Sequence, residues 1–357
     1  MNGKRAIAVK AMVGASAFAA VAWLSMAWGS GTFLSRDGTW AVEQGAVVND
    51  GFAAQKKFIE VGGVKVAYID VGQGPPLILL HGCPFSAYEW RDIIPILAKA
   101  HRVIAPDLIG LGDTPVKLDQ DYRLPEDVKM VGGLMDALEI PAADFIAHDH
   151  GGATILLMMN SAPERIKRVV LTNIEAYDLW PSKPELPYLK GIVNAVTSPL
   201  LYYGFRMDWL KKQAFGVAFH EPEKVTSETY AAFTMQHAST PERWQRLRRF
   251  FGWQLDPAHH NITMTAIPGM RKFDRPVLLL WGAQDENFGP KIARRLVKDI
   301  PGAVGIGWMK QSAHMPMLEE PEAYAAAAEA FFNNQPSTGL AANFEDSTAI
   351  RASLSAK

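Results

Sequence analysis

From residue 56 to about residue 333, short runs of consecutive apolar residues alternate with stretches of helical period. Phe58–Gly72 (FIEVGGVKVAYIDVG) holds two β-rich runs around Gly62-Gly63 and predicts a hairpin. The continuous apolar run at 77–80 predicts a buried central strand, and the short runs at 103–105, 144–148, 169–172 and 277–281 predict further strands of the same sheet. A further strand is predicted at 304–308, as the last of the set. Between them, helices are predicted at 88–100, 125–138, 151–162 and 289–298, with an alanine-rich helix at 320–333 closing the unit. Such alternation specifies an α/β architecture, a mostly parallel sheet with helices on both faces.

The stretch 176–270 breaks the alternation. It contains no clear buried strand and is rich in aromatics, among them Trp180, Tyr188, Tyr202, Tyr203, Trp209, Tyr230, Trp244 and Trp253. It is expected to be a helical cap inserted between two strands, leaving 56–175 and 271–334 as the core. Both ends lie outside this pattern. Lys4, Arg5 and Lys10 precede 18 uncharged, mostly apolar residues, so 1–29 are expected to be a signal peptide or membrane anchor. The catalytic unit would then lie outside the cytoplasm, exported or attached to a membrane. Residues 30–55 are expected to be a linker, and the small, polar residues 335–357 a flexible tail.

Composition narrows the function classes. The 36 basic and 37 acidic residues nearly cancel and form no basic block, so nucleic acid is not an expected partner. The single cysteine, Cys83, excludes an intramolecular disulfide and any Cys-rich zinc site. No metal and no cofactor is expected.

The chemistry is concentrated at strand ends. Ala147-His148-Asp149-His150-Gly151-Gly152 falls between a buried strand and a helix, with small residues where a sharp strand-to-helix turn needs them. The usual Gly-x-Ser-x-Gly of such a turn occurs nowhere in the chain; Asp149 takes the nucleophile position. A carboxylate there can attack carbon and form an ester. Taken alone, Asp149 reads more readily as a helix N-cap. His314 follows the predicted last strand and supplies a general base. Asp285 lies just past the 277–281 strand and can orient that imidazole. The chain order nucleophile, acid, histidine, each at a strand end, favours chemistry over the cap. The backbone N–H groups of Cys83 and His150 are the expected oxyanion donors. The Cys83 side chain is expected to line the pocket rather than attack, since no activating group adjoins it.

These segments resemble the α/β-hydrolase superfamily, in its Asp-nucleophile branch of haloalkane dehalogenases and epoxide hydrolases. The resemblance covers roughly 56–333 and is weakest in the cap. Residues 81–91 (HGCPFSAYEWR) look like the dehalogenase HGNPTSSYLWR, and 105–114 (APDLIGLGDT) like APDLIGMGDS, where epoxide hydrolases more often carry an Arg-Gly-Tyr-Gly version. His148-Asp149-His150-Gly151 is similar to the HDWG of both groups. The resemblance implies an α/β-hydrolase fold and a two-step reaction on a small apolar molecule. Asp149 displaces halide or opens an epoxide, then His314, supported by Asp285, activates water against the ester. Asn173 stands where some dehalogenases carry the acid and cannot serve; Glu175 is the nearby alternative to Asp285.

Two departures from the dehalogenase pattern concern the leaving group. His150 replaces the halide-binding Trp, and Cys83 replaces the Asn of HGNP. Substitute donors would be the Trp180 indole or a protonated His150. For an epoxide, Tyr188, Tyr202, Tyr203 and Tyr230 are the available acids. His148, Trp180 and Tyr188 are the expected pocket residues. Haloalkane, epoxide, and haloacid or ester hydrolysis remain open readings, as does a non-catalytic binding protein.

Overall fold

The computed structural model describes residues 50–117, 119–260, 262–335 and 343–355. The expected leader, 1–29, lies outside them. No helix among the described residues is long and apolar enough to cross a membrane.

Nine strands form one sheet: β1 (Lys57–Val61), β2 (Val64–Val71), β3 (Pro76–Leu80), β4 (Arg102–Pro106), β5 (Ala143–His148), β6 (Ile166–Ile174), β7 (Val277–Gly282), β8 (Ala303–Met309) and β9 (Phe344–Asp346). Their spatial order is β1-β2-β4-β3-β5-β6-β7-β8-β9. The pairs from β4 through β8 are parallel, while β1, β2 and β9 pair antiparallel at the two edges. All six residues of β5 and of β7 are buried, as strands covered on both faces must be. Because β3 sits between β4 and β5, the chain reverses direction across the sheet there. The crevice that reversal opens at the carboxyl ends of the strands is where such sheets bind ligands.

Between β6 and β7 the described residues carry no strand. Helices at Leu186–Val193, Thr197–Gly204, Asp208–Phe215, Ser227–Ala238 and Pro241–Gln254 lie over that end of the sheet. The last of these is tied to the core by charge. Buried Arg243 donates to Asp113 at 2.7 Å, and Arg246 donates to the Gly112 carbonyl at 2.7 Å.

Three expectations are corrected. The predicted helix at 88–100 is two short pieces, a 3₁₀ turn at Ala87–Trp90 and a helix at Ile94–Leu97. Pro95 lacks an N–H and fits only the first turn of a new helix. The end of the expected linker is ordered: Asp50–Ala53 is helical and Phe52 packs edge-on against Tyr88 at 5.3 Å. Just beyond it, Lys56 buries its ammonium between Asp107 and Asp113.

The flexible tail is the third. Residues 344–346 add β9 to the edge of β8, and Ser347–Ser355 forms a helix that buries Ile350. Arg351 donates from that helix to the carbonyls of Ile300 and Pro301 at 3.0 and 3.1 Å. Thus 304–308 is not the last strand. Without β9 the edge of β8 would present unpaired backbone groups.

Candidate active site

Asp149 sits where β5 turns into the helix Asp149–Ser161, with φ at 47°. That left-handed conformation is strained for a residue with a side chain, and it persists only because the surroundings enforce it. The turn needs bare backbone beside it. A Cβ on Gly151 would lie 2.4 Å from the Leu80 carbonyl oxygen, and one on Gly82 would lie 2.6 Å from the Asp149 Cβ. The small residues around 149 are therefore a packing requirement of the elbow.

The three residues expected to act together do meet. His314 Nδ1 is 2.9 Å from Asp285 Oδ2, and His314 Nε2 is 3.5 Å from Asp149 Oδ2. All three side chains are buried. Asp285 is itself held: Asn173 Nδ2 donates to Oδ2 at 2.7 Å, and the backbone N–H groups of Asn287 and Phe288 donate to Oδ1. Asn173 is thus a positioner of the acid. Glu175 is not a substitute for Asp285, because it faces His150 instead.

The Asp149 carboxylate is asymmetric. Its Oδ1 accepts the Cys83 backbone N–H at 2.7 Å, whereas Oδ2 makes no hydrogen bond among the described residues. Burial opposes the charge of Asp149, but the adjacent His314 outweighs it and brings the carboxyl down to about 2. Burial likewise opposes the His314 imidazolium, and the charge of Asp285 with the contacts to both carboxylates lifts it well above its ordinary value. The resting pair is a carboxylate beside an imidazolium. Burial and the charge of Asp149 push the Cys83 thiol well up, so it is neutral and not a nucleophile. The His150 backbone N–H lies in the first helical turn, where such groups have no intrahelical acceptor.

The leaving-group donors are placed differently from expectation. The His150 ring does not line the cavity. It bridges Glu175 at 3.1 Å and Asp127 at 3.2 Å, all three buried. Burial disfavours its charge, yet the hydrogen bonds to these two carboxylates raise it to about 10. Both N–H groups of this imidazolium are committed to those carboxylates. His148 is not a pocket residue either: its Nδ1 faces Glu89 at 3.2 Å and its Nε2 donates to the His314 carbonyl at 2.9 Å. It positions the backbone of the base. Trp180 does line the cavity, but its indole N–H donates to Gln254 at 2.8 Å.

The cavity measures about 110 Å³ and is walled by aliphatic and aromatic cap side chains, including Leu189, Ile192, Phe215 and Phe251. Tyr188 lines it at its exposed rim. Tyr202, Tyr203 and Tyr230 do not line it; the Tyr230 hydroxyl donates to the Pro222 carbonyl. His314, Cys83, Glu185, Asn287, Thr234 and His237 are among the polar residues of the lining. Burial drives His237 down to about 3, so it is a neutral imidazole. Glu185 and Asn287 were not legible as site residues. Ser182-x-x-Glu185 has the spacing of a helix-capping pair and signals no chemistry. Among the described residues no cluster of His, Cys, Asp and Glu suits a metal ion.

A family profile described as alpha/beta hydrolase fold matches residues 75–321. The chain is 31% identical over 238 residues to the cis-3-alkyl-4-alkyloxetan-2-one decarboxylase of Shewanella oneidensis, covering 65% of this chain and 74% of that protein. It is 26% identical over 266 residues to haloalkane dehalogenase 2 of Mycobacterium tuberculosis, covering 74% of this chain and 90% of that one. Among solved structures, a meta-cleavage product hydrolase from Pseudomonas fluorescens superposes with a TM-score of 0.64 at 25% identity, covering 78% of this chain and 97% of that one.

Proposed function

This chain belongs to the alpha/beta hydrolase fold family and is a hydrolase, and we propose that it works through an ester on Asp149. The observation that carries this reading is the 3.5 Å approach of His314 to the Asp149 oxygen that makes no hydrogen bond, with Asp285 behind the imidazole. Asp149 Oδ2 attacks a carbon of a small apolar substrate seated under the cap. Esterification cancels the Asp149 charge, and one support of the His314 proton goes with it. His314 then releases its proton to solvent and accepts one from water as the water attacks the ester carbonyl. The Cys83 N–H, already on Asp149 Oδ1, holds the oxyanion of that step.

Haloalkane hydrolysis is supported by the motif at 105–114 and by the similarity to the mycobacterial dehalogenase. Against it, the N–H groups of His150 and Trp180 that would receive a halide are spent on Glu175, Asp127 and Gln254. That observation favours the second reading, opening of a carbon–oxygen bond in an epoxide. The test uses His314→Gln, which keeps the attack and blocks ester hydrolysis. Incubated with haloalkanes and epoxides, the protein is expected to gain the mass of one alkyl or hydroxyalkyl group on Asp149. An unmodified, folded protein across the panel, matching an Asp149→Asn control, would refute the ester.

A further inference from the structure

Glu185 enters the cavity just before the cap helix Leu186–Val193 and lines it together with His314 and Asn287. Its two oxygens are engaged by two side chains that also engage each other. Asn287 Nδ2 donates to Glu185 Oε1 at 3.0 Å. Ser182 Oγ lies 2.9 Å from Glu185 Oε2 and 3.2 Å from Asn287 Oδ1.

Proton counting decides the state of this ring. Ser182 has one hydroxyl proton and two oxygen neighbours that accept hydrogen bonds. If Glu185 is ionised, one of those two oxygen pairs faces without a proton between. If Glu185 is protonated on Oε2, every contact has its proton. Glu185 donates to Ser182, Ser182 to Asn287 Oδ1, and Asn287 back to Glu185 Oε1. Burial, followed by the charge of Asp149, favours the same state and pushes the carboxyl up to about 8. A neutral acid therefore lines the same cavity as the base, its proton held by the Ser182 hydroxyl until a substrate oxygen takes that place.

We infer that Glu185 is a catalytic acid of this site, donating its proton to the oxygen of an apolar epoxide as Asp149 opens the ring; the inference rests on the aspartyl-ester reading. Asp149 Oδ2 forms a bond to a ring carbon, the carbon–oxygen bond breaks, and its electron pair goes to the ring oxygen. That oxygen takes the Glu185 proton and becomes a hydroxyl. An alkoxide is too basic to leave without a proton, whereas a halide needs none, so an acid here has a use only for oxygen leaving groups. The Ser182 hydroxyl then turns back to Oε2, and Ser182 and Asn287 both donate to the new carboxylate. In the second step the proton that His314 releases restores Glu185 by way of solvent, and water adds to the Asp149 carbonyl, leaving one proton on His314 as the imidazolium. Its other proton passes to the departing alcohol as Asp149 returns to carboxylate. The diol leaves with the atoms of epoxide plus water.

The experiment compares the full-length His314→Gln protein with its Glu185→Gln derivative, following single-turnover alkylation by intact mass. The probes are 1,2-epoxyhexane and 1-bromohexane, read from pH 6 to pH 9.5. Gln reproduces the donor and acceptor pattern of the protonated ring, so the fold is kept, but it has no proton to transfer. Alkylation by the epoxide is expected to fall about 10²–10⁴-fold at pH 7 in the Glu185→Gln protein. In the parent it should decline above about pH 8, following the acid. Alkylation by bromohexane, where it occurs, should change by less than about threefold, as for a step that needs no acid. Glu185→Asp should recover part of the epoxide rate. Epoxide alkylation at the parental rate and with the parental pH profile in Glu185→Gln would overturn the role of Glu185. A parent alkylated by bromohexane and not by the epoxide would overturn the substrate class while leaving the aspartyl ester standing. A parent alkylated by neither would overturn both.

Discussion

Replacing His150 by Phe tests whether the residue after the nucleophile serves the leaving group or the fold. Phe keeps a ring against Phe250, which His150 contacts at 5.4 Å, and deletes both N–H groups. What it leaves is two buried carboxylates, Asp127 and Glu175, without their shared cation. The imidazole titrates near 10 instead of 6.5, a difference worth up to about 5 kcal/mol at 1.36 kcal/mol per pK unit. Part of that is offset: burial, with the charges of Asp149 and Asp127, holds the Glu175 carboxyl above its ordinary range despite His150. Removing one partner of a buried pair costs about 3–5 kcal/mol, which is the figure to expect. For a chain of this size it lowers Tm by roughly 4–7 °C.

The pH dependence separates this from lost packing. In the wild type the folded pKa of His150 is raised, so its contribution is full below the unfolded value of 6.5 and is lost as pH rises through about 10. In the variant Asp127 and Glu175, without the imidazolium between them, take up protons in the native state. Stability should therefore decline from about pH 5 upward, whereas in the wild type the His150 contribution is full up to about 6.5 and declines only above it. Differential scanning calorimetry from pH 5 to pH 10 reads both profiles. A Tm within about 2 °C of wild type together with a flat profile would refute the ion clamp and return His150 to the candidate leaving-group donors.

Two other perturbations test how the site is held in place. Ile350→Ala should cost about 2–5 kcal/mol by urea unfolding, since Ile350 is fully buried beneath a segment whose composition reads as a tail. Lys56→Met should cost about 3–5 kcal/mol, because Asp107 and Asp113 lose a buried cation. Lys56 and Arg243 outweigh burial and depress the Asp113 carboxyl, a contribution present at neutral pH and lost as pH falls through its folded pKa. Acid unfolding of the Lys56→Met protein should show less of that loss than wild type.

The parallel sheet was legible because its strands are buried on both faces. Continuous apolar runs such as 77–80 and 277–281 have few other uses in a chain that also carries helical periods between them. The Asp149–Asp285–His314 order was legible for a related reason, since strand ends are marked by the runs that precede them. The leaving-group side was not. His150, Trp180, His148 and Glu185 are residue types whose meaning depends on what faces them, and their partners Asp127, Gln254, the His314 carbonyl and Asn287 lie 23, 74, 166 and 102 positions away in the chain. No local pattern encodes such a pairing. The same holds for β9: three residues become a strand only because β8 offers an open edge. Burial periodicity belongs to the chain and can be read along it. The protonation of a buried group belongs to its neighbours, which only the folded packing brings within hydrogen-bond reach.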